Sequence, residues 1–563
     1  MITFGPAWKK KIGALHVVKL KGSFYEMGRQ HGHLLAEEVR SGPIAYYRDF
    51  IAKLFGAKRF GLAGPAVLRV LNRAVGARVA KGLPPFAKET IRGLADGAGM
   101  PYRDYLEGAT MPDSVLWAAS RLMQLRGPGP AVYHRLALGL GCTSAVAWGE
   151  ATADGRLLHA RNLDYQGVEC WPRTQAVIFH EPDEGMRFVA VAAAGVGLGG
   201  ITAMNEAGLT LTVHQHMFTD RAKLGGTPIG VVGDLVMRGA RTLAEAARIL
   251  ASHTPIACWT YVVASAHERG VLCHEESPTR NVAQTFGAGR ARQTTFGYAN
   301  IYLDRELGDT EVDLYGSYWR HNHARHVRVN ALLAEGSGAL DAARMGGILA
   351  DVGEGPCRIS QSIAMALTVA SVVFRPEDGA FWVAAGEAPA SHGTFVPFSL
   401  GREDHAPELG SFTAAVPERA REAFEQFRRA YVAYTDHRDL PAARQAMSRA
   451  CDLEPAQSVY HATTGLLALI DGDAATASTR LGEAITLGHP DEARVAAFHL
   501  WRARAKDIGG QRCAAERDYR VALALRSDAP VAAAARKNLR TPFTARAAKH
   551  VHVDMALGDV VAP

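Results

Sequence analysis

The run Gly141-Cys142-Thr143-Ser144-Ala145-Val146-Ala147-Trp148 sets a thiol at the head of small and β-branched residues, directly after a glycine. A second run, Arg156-Leu157-Leu158-His159-Ala160-Arg161-Asn162-Leu163-Asp164-Tyr165, follows an Asp154-Gly155 pair. Two β-rich runs around Asp-Gly read as a hairpin. A two-residue loop sets Ala153 against Arg156 and Cys142 against Gly167, returning Arg161 and Asp164 to the cysteine's end. A thiol titrates near about 8.5 and an α-amine near about 7.7–8.0. An N-terminal cysteine therefore carries its own general base, and no histidine is required. The Arg161 guanidinium favours the thiolate, and the Asp164 carboxylate holds and orients the amine. Gly141 leaves the preceding backbone free of side-chain restraint. The plainer alternatives are a packed cysteine and a structural Arg161–Asp164 ion pair.

Other polar clusters read as structural. His214 and His216 flank Gln215 at a spacing that puts both rings on one strand face, which a metal could use, but no third ligand is evident in the sequence. They are taken as core or pocket histidines, and no metal site is expected. His321, His323 and His326 lie in a basic, helical stretch and read as a solvated face, while His31 reads as capping or packing. The glycines of 195–200 precede a strand and a turn rather than a helix, which argues against a phosphate cradle.

The two runs around Cys142 do not stand alone. GSFYEMGRQHG (22–32), GITAMNEAGLTLTV (200–213), GYAN (297–300), PCRIS (356–360) and LTVASVVF (367–374) accompany them in order between about His16 and Gly401. Together they resemble the penicillin-acyltransferase-like family of autoproteolytic cysteine hydrolases, relatives of isopenicillin N acyltransferase, penicillin V acylase and bile-salt hydrolase. The resemblance implies an α+β fold, a four-layer αββα N-terminal-nucleophile sandwich. It implies self-cleavage of the Gly141–Cys142 bond, with Cys142 as nucleophile, Asp164 on the freed amine and Arg161 beside the thiol. Asn300 matches the oxyanion donor and Arg358 a second arginine lining the pocket. His214 departs from the asparagine many relatives carry there and is expected at the substrate. The implied chemistry is an acyl-enzyme on Cys142, formed from a small-molecule amide or thioester and passed to water or an amine. It requires no metal or organic cofactor, and acyl-CoA is an admissible co-substrate.

The rest of the chain must position these groups. At 563 residues it is long for one core, and two or three domains are expected. Residues 1–141 begin with a strand-like stretch (16–21) and continue as helix, an N-terminal segment that serves as pro-region or small subunit. Residues 142–401 are β-rich and catalytic, 402–418 a polar linker, 419–540 helical and 541–563 a tail. The helical segment repeats. Ala443, Met447 and Ala450 recur as Ala477, Leu481 and Ala484, and again as Ala515, Tyr519 and Ala522. The first spacing, with Phe427, Tyr434 and Gly465 in supporting places, resembles the tetratricopeptide repeat and a surface for a protein partner. A non-catalytic interaction protein with a residual hydrolase fold is the rival reading. The retention of Cys142, Arg161, Asp164 and Asn300 opposes it.

Composition excludes other classes. Hydrophobic residues make up 48% and charged residues 21%, with a net charge of +7 spread along the chain. No basic run interleaves with aromatics, so nucleic acid is not an expected partner. No stretch of about 18 apolar residues suggests a membrane span. Seven scattered cysteines without CxxC or a signal sequence fit a cytoplasmic location.

Overall fold

The computed structural model describes residues 1–54, 64–126, 141–216, 218–287, 293–312, 316–356, 358–555 and 560–561. Cys357 lies outside them.

Eighteen strands build two large sheets of a mixed α/β molecule. In chain order they are β1 (Ile2–Phe4), β2 (Ala7–Ile12), β3 (Leu15–Gly22), β4 (Gly141–Ala147), β5 (Leu158–Asp164), β6 (Gln175–Pro182), β7 (Phe188–Ala193), β8 (Thr202–Asn205) and β9 (Leu209–Gln215). There follow β10 (Trp259–Ser265), β11 (Gly270–Ser277), β12 (Arg280–Gly287), β13 (Thr295–Tyr298), β14 (Thr368–Arg375), β15 (Ala380–Ala385), β16 (Thr394–Ser399), β17 (Asp404–His405) and β18 (Phe412–Thr413). The first sheet runs β1-β2-β3-β6-β7-β8-β9-β10-β11-β12, and the second β13-β4-β5-β14-β15-β16-β17 with β18 also on β16. All pairings are antiparallel except β3–β6, where the first 22 residues enter the sheet beside a strand from beyond Cys142.

Every residue of β4 and β5 is buried, because both faces of that hairpin are covered. On one face Val146, Trp148 and Leu157 pack with Val262, Ala264, Val271 and Cys273 of the other sheet. On the opposite face Ala145, Ala147, Leu158 and Ala160 pack with Val329 and Leu333 of helix Gly316–Glu335 and with Met345 and Ile348 of helix Ala342–Leu349. A further cluster joins Val17, Val177, Phe179 and Val189 to Val372, Phe374, Phe381 and Phe398, again sheet to sheet. The outer side of the first sheet carries helices Phe24–Leu34, Pro85–Ala98, Val231–Gly239 and Leu243–Ala251. Capping fixes their starts: Ser23 and Glu26 form a capping box, and Thr242 accepts from the Glu245 amide.

The hairpin register differs from the sequence expectation. Cys142 faces Leu163, Ser144 faces Arg161 and Gly141 faces Asp164. Asp154-Gly155 is a turn within a longer connection that includes a 3-10 turn at Gly149–Ala151, and Thr152 bridges to Leu340. The shift of four positions is even, so each residue keeps its face. Cys142 and Arg161 gain a closer approach. The expected linker 402–418 is also tied down: Asp404–His405 and Phe412–Thr413 pair with β16, and Lys10 bonds Asp404.

The C-terminal helices follow from Glu418–Val432 onward. The repeated positions Ala443, Met447, Ala450, Ala477, Leu481, Ala484, Ala515, Tyr519 and Ala522 are all fully buried, on helices Leu440–Leu453, Ala474–Leu487 and Arg512–Ala524. A Cβ on Gly465 would stand 2.8 Å from the Leu481 side chain, so a glycine lets helix Ser458–Ile470 approach its successor. Among the described residues no helix is long and apolar enough to cross a membrane.

Candidate active site

Strand alternation sorts the hairpin's functional groups onto two faces. Cys142, Ser144, His159 and Arg161 turn towards the first sheet; Gly141, Thr143, Asn162 and Asp164 turn towards helix Gly316–Glu335.

On the first face, Arg161 Nη2 donates to Cys142 Sγ at 3.2 Å and to the Val213 carbonyl at 2.8 Å, and Nη1 donates to the Ile201 carbonyl at 3.2 Å. Those carbonyls fix the guanidinium against the sulfur. Arg161 is 1% exposed, and among the described residues its side-chain hydrogen bonds go to two backbone carbonyls and the thiol. Burial pushes the Cys142 thiol above its ordinary range; Arg161 pulls it down and the Asp164 carboxylate adds to the rise.

On the second face, Arg325 is the organiser. Its Nη1 donates to the Cys142 carbonyl at 3.2 Å and to Thr143 Oγ1 at 3.0 Å. Its Nη2 donates to Asn300 Oδ1 at 3.0 Å and Asn322 Oδ1 at 2.8 Å, and Nη1 stands 4.0 Å from Asp164. Asn300 Oδ1 also accepts the Cys142 N–H at 2.6 Å, while its Nδ2 donates to the Gln215 carbonyl at 2.6 Å. Asn300 holds this position with φ of 43°, a conformation asparagine tolerates better than most residues. Asp164 Oδ1 accepts from Thr368 Oγ1 at 2.5 Å, whereas its buried Oδ2, 4.0 Å from Arg325 Nη1, has no hydrogen-bond partner among the described residues. Burial raises the Asp164 carboxyl, against the opposing pull of Arg325, Thr368 and Arg161.

Gly141 is required by space rather than by φ, which is not left-handed. A Cβ there would meet Asp164 Oδ2 and Met365 Sδ at 3.0 Å and Arg325 Nη2 at 3.3 Å. That carboxylate oxygen thus lies close to Gly141.

A cavity of about 150 Å3 opens onto these groups, lined by Cys142, Arg161 and Asp164, by Thr110 and Gln215, and otherwise by apolar and aromatic residues. Ile44, Tyr47, Leu83, Ile91 and Tyr105, all from before Cys142, form part of its wall. Gly195, Gly197 and Gly199 form another part. In that loop the Gly195 N–H donates to His31 Nε2 at 3.0 Å, and the Gly195 carbonyl accepts from the wall residue Tyr105 at 2.5 Å. Burial lowers His31 to about 4, which keeps it neutral and able to accept.

Of the residues named from sequence, Cys142, Arg161, Asp164 and Asn300 converge. Two others stand elsewhere. His214 does not line the cavity; its Nε2 meets Ser144 Oγ at 2.9 Å and Thr212 Oγ1 at 3.2 Å, and its ring packs edge-on against Tyr298 between the sheets. Alternation along β9 gives the cavity to Val213 and Gln215 instead. Arg358 pairs with Glu454 of the helical tail, away from the cavity. His216 is held by Glu311 at 3.1 Å and Thr260 at 2.6 Å. The supposed solvated face is mostly buried: His321, Asn322 and Arg325 are inside and His323 alone of the three histidines is exposed.

Residues 151–389 match the family model described as acyl-coenzyme A:6-aminopenicillanic acid acyl-transferase, a segment that includes Arg161, Asp164, Gln215, Asn300 and Arg325 and begins just after Cys142. An uncharacterized protein of Archaeoglobus fulgidus is 29% identical over 264 residues, 45% of this chain and 42% of that protein. Protein dcd1B of Dictyostelium discoideum is 28% identical over 164 residues, 27% of this chain and 28% of its own length. The chain therefore spans less than half the length of these curated relatives.

Proposed function

We propose, from the premise that residues 151–389 make this chain a member of the acyl-coenzyme A:6-aminopenicillanic acid acyl-transferase family, that it is a self-cleaving cysteine acyltransferase or amidohydrolase. The observation that carries this reading is the Arg161–Cys142 contact beside an Asp164 carboxylate whose Oδ2 has only the 4.0 Å ion pair to Arg325 among the described residues. Two buried guanidiniums, Arg161 and Arg325, face one buried carboxylate. The negative charge that develops on sulfur as Cys142 gives up its proton is stabilised by that excess of positive charge.

In the first step the Cys142 sulfur bonds to the Gly141 carbonyl carbon. The Gly141–Cys142 C–N bond breaks as its nitrogen takes up the proton that the Cys142 thiol gives up. Water then hydrolyses the thioester, leaving a Gly141 carboxylate and a free thiol and α-amine on Cys142. Asn300 Oδ1 already holds that nitrogen, and the Asp164 carboxylate is the charged group we assign to receive the amine. In turnover the amine takes the thiol proton, sulfur attacks the acyl carbonyl, and the departing amine carries the proton away. Water or an acceptor amine then releases the acyl group. The side-chain amide of Gln215, on the cavity wall, is the donor we assign to the developing oxyanion. The Asn300 amide nitrogen is spent on the Gln215 carbonyl and so fixes that donor's backbone. The donor set is suited to a thiol nucleophile throughout, and acyl-CoA remains an admissible donor.

The sheet-to-sheet and helix-to-sheet clusters support a four-layer αββα body. Residues 1–141 act as a retained subunit, because β3 lies inside the first sheet and side chains from Ile44 to Pro112 wall the cavity. The regular burial of the repeated positions supports tetratricopeptide-like packing of the C-terminal helices. Exposure to p-nitrophenyl octanoate followed by peptide mass analysis tests the chemistry. An octanoyl adduct on Cys142, absent from Cys142→Ala, is expected. Turnover that persists in Cys142→Ala would remove the reading.

A further inference from the structure

Three aromatic residues of the cavity wall, Tyr47, Tyr165 and Trp171, meet at Gln166. The Gln166 carbonyl accepts from Tyr47 OH at 3.2 Å and from Trp171 Nε1 at 3.1 Å. Tyr165 precedes it in the chain and sets its ring edge-on to Tyr47, 5.2 Å between centroids. The side chain of Gln166 faces the other way. Its Oε1 accepts the hydroxyl of Tyr431 at 2.5 Å, and Tyr431 lies on the first helix of the C-terminal region.

The same junction is closed around this bond. Tyr46, next to Tyr47, donates to Asp436 at 2.8 Å. Cys142, Leu163, Val168 and Trp171 share one continuous apolar core with Phe424, Phe427 and Tyr431. Farther along, Ser458 N–H donates to the Pro356 carbonyl at 2.7 Å, and Arg320 pairs with Asp491 and Asp528. The inner side of these helices is occupied by this chain's own catalytic region.

We infer that Tyr431, acting through Gln166, is a positioning residue for the acyl cavity, so that the C-terminal helices help set which acyl groups fit. The inference rests on the acyl-transfer reading of Cys142. A buried amide oxygen that takes a phenol proton is costly to leave short of that donor. Removing the hydroxyl lets the 165–171 segment settle differently, and its movement displaces three wall residues at once. The chemical groups at Cys142, Arg161 and Asp164 keep their own bonds, so the effect falls on binding rather than on the chemical step.

The test uses the full chain and p-nitrophenyl acetate, butyrate and octanoate as acyl donors. Tyr431→Phe and Gln166→Leu should raise KM for the octanoate about 5–10-fold relative to the acetate, with kcat within about twofold. Gln166→Glu, which keeps an acceptor for Tyr431, should retain the parent profile. Tyr519→Phe is the control: it also removes a hydroxyl from a buried tail tyrosine, one bonded to Asp507 at 2.8 Å, but in a separate core. It should lower Tm and leave the chain-length profile unchanged. An unchanged profile in Tyr431→Phe, or an equal shift in Tyr519→Phe, would overturn the inference. Should the parent protein hydrolyse none of the esters, the acyl-transfer reading fails, and protection of Cys142 from iodoacetamide by octanamide still decides this one. Loss of protection in Tyr431→Phe supports it; equal protection in parent and variant refutes it.

Discussion

Two buried carboxylates, one in the catalytic hairpin and one in the C-terminal helices, sit in opposite surroundings. Asp518 accepts from His499 at 3.2 Å, from Arg502 at 2.7 and 2.8 Å and from Lys506 at 2.8 Å. Burial alone would raise its carboxyl, yet these bonds outweigh burial and hold it well below the usual range. Among the described residues Asp164 receives one hydroxyl on Oδ1 and only a 4.0 Å ion pair to Arg325 on Oδ2, so burial wins and its carboxyl rises. The tail uses its charge to hold helices together. The hairpin satisfies its charge less fully, and on the proposed reading this is where the new amine would appear.

Four substitutions can break or sharpen that contrast. Asp164→Asn should reduce acyl turnover and self-cleavage by about 100-fold or more, with less loss of stability than the corresponding change in the tail, as read by a urea midpoint. Equal activity would make Asp164 merely structural. Asp518→Asn should do the reverse, costing about 2–4 kcal/mol and sparing Cys142 reactivity. The two carboxylates also carry opposite pH signatures. The contribution of Asp518 is present above the unfolded carboxylate range and lost as pH falls through it, whereas the burden of Asp164 is relieved as pH falls.

A smaller effect is expected from Arg161→Gln. It removes the group that pulls the thiol down, so alkylation of Cys142 at pH 8 should slow about tenfold and its pH profile move upward. A profile that stays in place would separate Arg161 from the thiol's ionisation. Smallest is Asp113→Asn, beside the cavity loop. Burial pushes Asp113 up to about 7 while its Oδ2 accepts the Ile229 N–H at 2.9 Å. The native state therefore binds the extra proton, and stability falls as pH rises from about 4 to about 7. The variant should gain about 1–3 kcal/mol at pH 8 and nothing at pH 4 in denaturant titrations.

Local patterns made the hairpin legible. Two β-rich runs and a turn named Cys142, Arg161 and Asp164 together, and the even register shift preserved their faces. The repeat spacing named helix faces that are fully buried. What stayed hidden depends on distant chain or on a single step of alternation. Arg325 reaches the site from a helix far along the sequence, although the spacing of His321, Asn322, Arg325, Val329 and Leu333 carried a signal: it traces one buried helix stripe. Gln215 faces the cavity where His214 was expected, because adjacent strand residues point to opposite sides. Arg358 followed a short match near a proline, and only tertiary packing reveals its partner, Glu454.

The central claim is that the thiol of Cys142 cuts the bond that precedes it, beside a carboxylate left open for the new amine. Intact and fragment masses of the purified full chain test it directly. The account predicts two pieces, one ending at Gly141 and one beginning at Cys142, and a Cys142→Ala chain that remains whole. Cleavage at another bond, or equal cleavage in Cys142→Ala, would contradict it.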